Sequence, residues 1–281
     1  MIKRIGIIGA GVMGRGVAQV FSEHGFEVIL VDNHEEALKE AEKAIYNSCR
    51  LSKFQNKNAE NPEKILARIY FSNKLKEIED SDFIVENITE HVDSKLKLYP
   101  LLDKLSKEGV ILAANTSCIS ITKIAATTGR RENVLGVHFM NPVSAIPAVE
   151  VIRGFYTSED TIQTTLSLLG KIDKEGIIVK DLPGFVANRI SHLMMNEAAF
   201  IVQDQCAKVE DVDAIFRKCY GHKMGPLETA DLIGLDTVVN SLEVLYDAYQ
   251  DPKFRCCPLL KNMVDAGLLG RKTSHGFYKY Y

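Results

Sequence analysis

Short runs of apolar residues alternate with amphipathic stretches over residues 1–182. This pattern predicts a strand over Ile5–Ile8, a helix over Val12–His24 and a second strand over Glu27–Val31. Later apolar runs predict further strands over Phe83–Glu86, Val110–Ala113, Val134–Phe139, Ala148–Ile152 and Ile177–Val179. Strands that alternate with helices are typical of a parallel sheet with crossover helices. We therefore predict a doubly wound α/β domain for this part of the chain.

A long, charged and helix-favouring segment interrupts the alternation over about residues 35–68. The stretch Asn56–Pro62 breaks this segment, which predicts a protruding helical hairpin inserted in the α/β domain. The segment carries these basic residues: Lys39, Lys43, Arg50, Lys53, Lys57, Lys64 and Arg68. Such a charge run forms either a solvated face or a clamp for a phosphorylated carrier arm. The pattern leaves both interpretations open.

A domain boundary is predicted at Asp181-Leu182-Pro183-Gly184, where the α/β pattern stops. We assign residues 1–182 to the first domain and residues 183–281 to an all-α second domain. The second domain is predicted to contain helices over Phe185–Asp204, Val209–Cys219, Pro226–Tyr249 and Pro258–Ala266. Several of these helices have apolar stripes wider than a small monomeric bundle can bury. We therefore expect a homodimer formed through the helical domain.

Composition narrows the class of protein without defining its chemistry. The 34 basic and 37 acidic residues give a net charge of −3, which does not indicate a nucleic-acid partner. No apolar run approaches the roughly 20 residues that a membrane-spanning helix needs. The chain begins directly with a strand pattern rather than a secretory signal. The six cysteines show no C-x-x-C spacing, so we expect reduced thiols in a cytoplasmic protein.

A glycine-rich turn joins the first predicted strand to the first predicted helix. In a dinucleotide-binding turn the first glycine permits the tight turn, the second admits the pyrophosphate and the third allows close helix–strand packing. The helix then offers backbone N–H groups to the phosphates. An acidic residue closes the second strand, where its carboxylate can accept hydrogen bonds from both ribose hydroxyls. The residues assigned to this site are Gly9, Gly11, Val12, Met13, Gly14 and Asp32.

This arrangement predicts a Rossmann-type domain that binds NAD. The charge of Asp32 would repel a 2′-phosphate, and neither Asn33 nor His34 supplies the arginine that an NADP site needs. The alternative is that the glycines merely form a turn and that Asp32 caps a helix.

A histidine and a glutamate lie on two consecutive predicted strands. His138 ends the apolar run that begins at Val134, Glu150 lies in the next run, and Asn141-Pro142 turns the chain between them. Antiparallel pairing would bring the two side chains together. A carboxylate on one ring nitrogen fixes the tautomer and raises the basicity of the other nitrogen, as a general base requires. The alternative is a histidine that is simply hydrogen-bonded at a strand end.

Two further polar residues lie where a substrate could bind. Ser117 follows a predicted strand at its carboxyl end, the edge at which open α/β sheets bind ligands, and can hydrogen-bond a hydroxyl or carbonyl. The alternative is that Ser117 caps a helix beginning near Ile119. Asn188 opens the second domain, where its amide can orient a carbonyl. The alternative is that Asn188 is simply an asparagine on a helix surface.

Together these features resemble the L-3-hydroxyacyl-CoA dehydrogenase family, which includes 3-hydroxybutyryl-CoA dehydrogenases. The resemblance runs through the full length of the chain. The stretches that carry it are Gly9–Gly14, Asp32, Val85–Glu90, Asn115–Ser117, His138–Pro142, Val149–Val151, Pro183–Phe185, Asn188-Arg189, Gly225-Pro226, Gly234–Asp236 and Gly276–Tyr278.

The resemblance implies roles for individual residues. It implies that the catalytic residues are Ser117, His138, Glu150 and Asn188. It places the nicotinamide and its ribose near Glu90, Lys95, Ser117 and Asn141. It also implies a dimerising helical domain and an acyl-thioester substrate whose phosphates lie near the basic hairpin. Lys53 is our choice for a phosphate contact there. Ser117 and Asn188 are expected to bind the acyl group.

Two departures from the family pattern bear on the substrate. Pro147-Ala148 stands where many members carry a lysine, and Ser274-His275 precedes the Gly276-Phe277 motif. The segment Gly221–Asp231, together with Asp251–Phe254, looks like a branch found in polyketide and antibiotic gene clusters. Members of that branch are thought to oxidise glyceryl or seryl groups on an acyl-carrier protein toward hydroxymalonyl or aminomalonyl extender units. The acyl carrier is therefore either coenzyme A or a carrier protein.

Two other readings of the motifs remain. A 6-phosphogluconate-type dehydrogenase would use a lysine on the first long helix of the second domain, but this helix has no lysine before Lys208. A non-catalytic NAD-binding sensor or structural protein would keep Gly9–Gly14 and Asp32 without needing His138. Metal is not expected, since the histidines show no ligand spacing and hydride transfer needs none.

Overall fold

An eight-stranded sheet forms the centre of the first part of the chain in the computed structural model, which describes residues 2–281. The strand order is β3-β2-β1-β4-β5-β6-β7-β8. The strands are β1 Arg4–Ile8, β2 Glu27–Val31, β3 Ile69–Ser72, β4 Phe83–Glu86, β5 Ile111–Asn115, β6 Val134–Phe139, β7 Ala148–Arg153 and β8 Glu175–Lys180. Strands β1 to β6 are parallel, whereas β7 pairs antiparallel with β6 and parallel with β8.

Helices connect the parallel strands, as the alternating pattern predicts. They are α1 Val12–Glu23, α2 Glu35–Gln55, α3 Pro62–Leu66, α4 Val92–Leu105, α5 Ile121–Ala125 and α6 Glu159–Gly170. Alternate strand residues such as Ile5 and Ile7 are fully buried and pack in one core with Val17 and Phe21 of α1. A side-chain period of two along each strand sends these residues to the same face of the sheet. The predicted Rossmann-type fold is confirmed.

The inserted segment differs from its prediction in one respect. Helices α2 and α3 form the two arms of the predicted hairpin, but the second arm has only five residues. The chain then enters β3, a strand that the pattern did not predict. Strand β3 lies at the edge of the sheet and has four residues, of which only Ile69 and Ser72 are buried. Such a short edge strand leaves too little alternation to recognise in the sequence.

The second part of the chain is helical. Contacts divide the molecule into Met1–Asp181 and Leu182–Tyr281, against a predicted boundary after residue 182. The helices are α7 Ala187–Gln203, α8 Val209–Cys219, α9 Pro226–Ile233, α10 Leu235–Tyr249 and α11 Pro258–Asp265. Helix α7 begins two residues later than predicted, because Gly184 and Phe185 both have positive φ.

The single helix predicted over Pro226–Tyr249 is wrong. Gly234 has φ +103°, which ends α9 and starts α10 in a new direction. A glycine inside an apolar helical pattern is tolerated in many helices, so the pattern alone did not reveal the break.

Buried carboxylates hold the C-terminal segment against the helices. Asp231 accepts hydrogen bonds from the backbone N–H groups of Phe277 and Tyr278, both at 2.9 Å. Asp213 accepts one from the hydroxyl of Tyr278 at 2.9 Å. Burial, together with this hydrogen bond, raises the pKa of Tyr278 well above its usual range. Among residues 2–281, no helix combines the length and apolar character of a membrane span.

Candidate active site

The glycine-rich turn lies between β1 and α1, and its glycines are present for different reasons. Gly9 has φ +96°, and a Cβ there would lie 2.6 Å from the carbonyl oxygen of Asn87. A Cβ on Gly14 would lie 1.7 Å from the carbonyl oxygen of Gly9. Gly11 has φ −64° and ψ −171°, and a Cβ there would meet no atom within 4 Å. The backbone therefore requires Gly9 and Gly14, whereas the space above Gly11 is open for a ligand.

Asp32 is fixed beside this turn. One oxygen of its carboxylate accepts the backbone N–H of Ala10 at 2.8 Å, and the other accepts the N–H of His34 at 2.9 Å. Helix α2 begins only at Glu35 and has no side-chain cap, so Asp32 does not cap it. A cavity of about 250 Å³ adjoins Gly9 and Asp32 and is lined by apolar residues such as Leu75 and Leu98. These features suit an adenosine, because Asp32 offers an acceptor for the ribose hydroxyls and the apolar wall suits the base.

The predicted antiparallel pairing of β6 and β7 is confirmed. His138 lies directly opposite Glu150 in the register, and both side chains are buried. The Nδ1 of His138 lies 2.7 Å from Oε2 of Glu150. Because an ionised carboxylate can only accept, Nδ1 carries the proton and Nε2 is the basic nitrogen. The pair therefore has the geometry that a general base needs.

The turn between these strands is itself well anchored. Its peptide bond Asn141-Pro142 is cis, and Val143 packs under α1 beside Gly16. The buried Lys174 donates to the carbonyl oxygen of Ile146 at 2.6 Å. Desolvation lowers the pKa of Lys174. Asn141 is exposed in this turn, and its predicted contact with the nicotinamide part of a cofactor stays a prediction.

Ser117 lies in the loop that leaves β5, and Glu90 organises this loop. One oxygen of the Glu90 carboxylate accepts the hydroxyl of Thr116 at 2.5 Å, the N–H of Ser117 at 2.8 Å and the N–H of Cys118 at 3.2 Å. The alternative that Ser117 caps the next helix is wrong. Helix α5 begins at Ile121, and its cap is Ser120, whose side chain accepts the N–H of Lys123.

The thiol of Cys118 is part of the same loop. Burial, reinforced by the nearby Glu90 carboxylate, raises the pKa of the Cys118 thiol to about 12. A thiol with such a pKa is almost fully protonated at neutral pH and is a poor nucleophile. Cys118 is therefore not expected to act as a nucleophile, and the role of Ser117 toward a substrate stays a prediction.

A buried ion pair between Lys95 and Glu86 lies next to Glu90. The ammonium of Lys95, at 0% exposure, lies 2.7 and 2.9 Å from the two carboxylate oxygens of Glu86, which is also 0% exposed. Burial raises the pKa of the Glu86 carboxyl, and Lys95 opposes that shift. The hydroxyl of Tyr99 lies 3.4 Å from the same carboxylate, and burial strongly raises the pKa of Tyr99. Lys95 is predicted to contact the cofactor, and that contact stays a prediction.

The remaining predicted site residues lie on other elements. Lys53, near the end of α2, donates to the carbonyl oxygens of Lys57 and Ala59 at 2.8 and 2.5 Å. Its ammonium thus holds the hairpin turn closed, and its role toward phosphates stays a prediction. Asn188 lies in the first turn of α7 and is half-buried. Its role toward a carbonyl also stays a prediction.

Two family profiles together match nearly the whole chain. The profile described as "3-hydroxyacyl-CoA dehydrogenase, NAD binding domain" matches residues 4–182, and "3-hydroxyacyl-CoA dehydrogenase, C-terminal domain" matches residues 184–280. The chain belongs to the 3-hydroxyacyl-CoA dehydrogenase family. As a member of this family it is an NAD-dependent oxidoreductase with 3-hydroxyacyl-CoA dehydrogenase activity. The interpretation as a non-catalytic NAD-binding protein is not supported.

Individual family members are similar over their whole length. The probable 3-hydroxybutyryl-CoA dehydrogenase of Deinococcus radiodurans is 43% identical over 277 residues, which are 99% of this chain and 100% of the relative. The 3-hydroxybutyryl-CoA dehydrogenase of Bradyrhizobium diazoefficiens is 41% identical over 281 residues, which are 100% of this chain and 96% of the relative. The crystal structure of (S)-3-hydroxybutyryl-CoA dehydrogenase PaaH1 from Ralstonia eutropha matches with a TM-score of 0.94 and 40% identity, covering 100% of both chains.

Proposed function

We propose that this 3-hydroxyacyl-CoA dehydrogenase acts on a short 3-hydroxyacyl group carried on coenzyme A, with His138 as the general base. The observation that carries the mechanism is the buried hydrogen bond of 2.7 Å between His138 and Glu150. The proposal of a short acyl group on coenzyme A draws on the similar proteins, which are named as 3-hydroxybutyryl-CoA dehydrogenases.

Proton transfer to His138 is the first part of the mechanism. The Nε2 atom accepts the proton of the 3-hydroxyl, and the imidazolium that forms is stabilised by the negative charge of Glu150. Both side chains are less than a tenth exposed, so this interaction is stronger than it would be in water. Bound NAD supplies the hydride acceptor. Ser117 donates a hydrogen bond to the carbonyl that develops, a contribution of several kcal/mol when such a donor is preorganised.

A carrier protein is the second candidate for the acyl carrier. The sequence segment that suggests it, Gly221–Asp231, has a structural explanation within the helical part. A Cβ on Gly225 would lie 2.3 Å from the side chain of Asp213, and Asp231 holds the C-terminal backbone. Packing therefore accounts for Gly225 and Asp231, so these two residues do not by themselves indicate a carrier protein.

The experiment that tests this function is NADH formation with 3-hydroxybutyryl-CoA, measured beside glyceryl- and seryl-carrier protein. We expect turnover with the CoA ester and NAD, and much weaker turnover with NADP because Asp32 repels a 2′-phosphate. Turnover with a carrier-protein substrate alone would replace coenzyme A by the carrier protein. Absence of turnover with all three substrates would contradict the proposal.

We also propose a cytoplasmic homodimer that forms through the helical part. Apolar side chains remain exposed there, including Ile190 at 64%, Leu232 at 51% and Ile215 at 50%. Exposed apolar surface of this kind on a single chain is typical of a subunit interface. Sedimentation equilibrium should give twice the mass of one chain, and the mass of a single chain would contradict this assembly.

A further inference from the structure

The ammonium of Lys95 makes a full set of hydrogen bonds away from the protein surface. It donates to both oxygens of Glu86 and, at 3.1 Å, to the carbonyl oxygen of Asn115. A lysine ammonium has three donors, so these acceptors use its whole capacity. Lys95 is 0% exposed. This geometry is that of a side chain that fixes its neighbours.

Glu90 stands between this buried cation and the Ser117 loop. Its Oε2 lies 3.8 Å from the ammonium of Lys95, while its Oε1 accepts from Thr116, Ser117 and Cys118. The attraction of Lys95 holds the carboxylate of Glu90 at the position from which it can accept those groups. The backbone position of Ser117 therefore depends on the charge of Lys95.

The charge of Lys95 in turn depends on Glu86. The carboxylate of Glu86 is held by the N–H of Ile88 at 2.7 Å as well as by Lys95. If Glu86 had no negative charge, the ammonium of Lys95 would keep only Glu90 as a counterion. Glu86 would then no longer compete for the ammonium, so the buried Lys95 and Glu90, whose side chain is 37% exposed, would move toward each other. That movement would draw Glu90 away from the Ser117 loop.

The same group of residues reaches the strand that carries His138. The carbonyl oxygen of Asn115 accepts from Lys95, and its side-chain oxygen accepts the N–H of Phe139 at 3.2 Å. The side-chain amide of Asn115 donates to Asn87 at 2.7 Å. One buried cation thus fixes the ends of β4, β5 and β6, where the proposed base and the Ser117 loop both lie.

We propose that Glu86 and Lys95 are positioning residues for the dehydrogenase reaction. Glu86 neutralises Lys95, Lys95 places Glu90, and Glu90 places the backbone of Ser117. The inference rests on the proposed function, since it concerns the residues that would orient the 3-hydroxyacyl group.

The test is the variant Glu86→Gln, which keeps the size of the side chain and removes its charge. We expect kcat with 3-hydroxybutyryl-CoA to fall by about 10²-fold, the loss that a misplacement of about 1 Å can cause. Hydrogen exchange of the Ser117 and Cys118 amides should become faster.

Asp103→Asn is the matched control on the same helix, α4. Asp103 also pairs with a basic side chain, Arg130 at 2.6 Å, and accepts the N–H of Gly129 at 2.6 Å. This variant should lower the melting temperature without changing kcat or the exchange of the Ser117 amide. A loss of kcat in Asp103→Asn equal to that in Glu86→Gln would show general destabilisation and overturn the inference.

The double variant Glu86→Leu with Lys95→Met separates positioning from folding. Apolar replacement of a buried ion pair is often neutral or stabilising, so this protein should fold even if Glu86→Gln does not. We expect kcat to remain about 10²-fold low in the double variant, because the cation that attracts Oε2 of Glu90 is then absent. Recovery of wild-type kcat would overturn the inference. Absence of turnover in the wild-type protein would instead contradict the proposed function.

Discussion

Replacing His138 by glutamine should lower kcat by about 10²–10⁴-fold while the Kd of NAD stays within about threefold. Glutamine can still hydrogen-bond Glu150, but it cannot accept a proton at neutral pH. The buried pair lies on β6 and β7, whereas the residues expected to hold the adenosine and the pyrophosphate lie just after β1, at the start of α1 and just after β2. Steady-state NADH formation gives kcat, and isothermal titration with NAD gives the Kd of NAD.

Two further variants control this result. His24→Gln makes the same substitution at the end of α1, where the ring lies 3.2 Å from Asp173, and should leave kcat unchanged. Glu150→Gln keeps an acceptor for Nδ1 but removes the charge that stabilises the imidazolium, so it should cause a smaller loss than His138→Gln. Wild-type turnover in His138→Gln would show that another group removes the hydroxyl proton.

Gly14→Ala and Gly11→Ala should both weaken NAD binding, but they should differ in their effect on the free energy of unfolding. At Gly14 the new Cβ would lie 1.7 Å from the carbonyl oxygen of Gly9, so the turn must distort. We expect a loss of about 1–3 kcal/mol in the free energy of unfolding together with weak NAD binding. At Gly11 the backbone is in a conformation that any residue adopts, and nothing lies within 4 Å. Gly11 is the N-cap of α1, where alanine is less favourable than glycine, and this cost opposes the gain from a less flexible unfolded chain, so Gly11→Ala should change the free energy of unfolding of the unliganded protein by less than about 1 kcal/mol.

The decisive measurement is the affinity for NAD in the Gly11→Ala protein. Since the space above Gly11 is where the pyrophosphate is expected to approach the backbone, the Kd of NAD should rise by about tenfold or more. Urea denaturation gives the stability and isothermal titration gives the affinity. A Gly11→Ala protein that binds NAD as tightly as wild type would show that the dinucleotide does not approach this residue.

The sequence predicts the central fold well because the core strands are short and mostly apolar runs. The strands Glu27–Val31, Phe83–Glu86 and Val134–Phe139 have the predicted bounds. Two features escape such reasoning. Strand β3 is stabilised by pairing with β2 rather than by a local pattern. The break at Gly234 depends on a positive φ, and a single glycine in an apolar helical pattern does not predict one.

The candidate site divides in the same way. The pair of His138 and Glu150 could be predicted, because a turn between adjacent strands brings residues near in sequence into register. The ion pair of Glu86 and Lys95 could not be predicted from spacing. It joins a strand end to the first turn of the following helix, and its significance depends on complete burial. A charged residue that ends the apolar run of β4 was the one available signal.

Strand β7 runs against its neighbour β6, and this reversal has a consequence for how the enzyme tolerates change. In a wholly parallel sheet, two adjacent strands are joined by a crossover of a dozen or more residues, so their relative offset depends on a distant helix. Here a single hairpin carries both members of the pair that we propose accepts the proton. Insertions in the nucleotide-binding half or in the helical arms would leave their mutual alignment intact. A one-residue slip between the two hairpin strands would instead turn the carboxylate to the opposite side of the sheet.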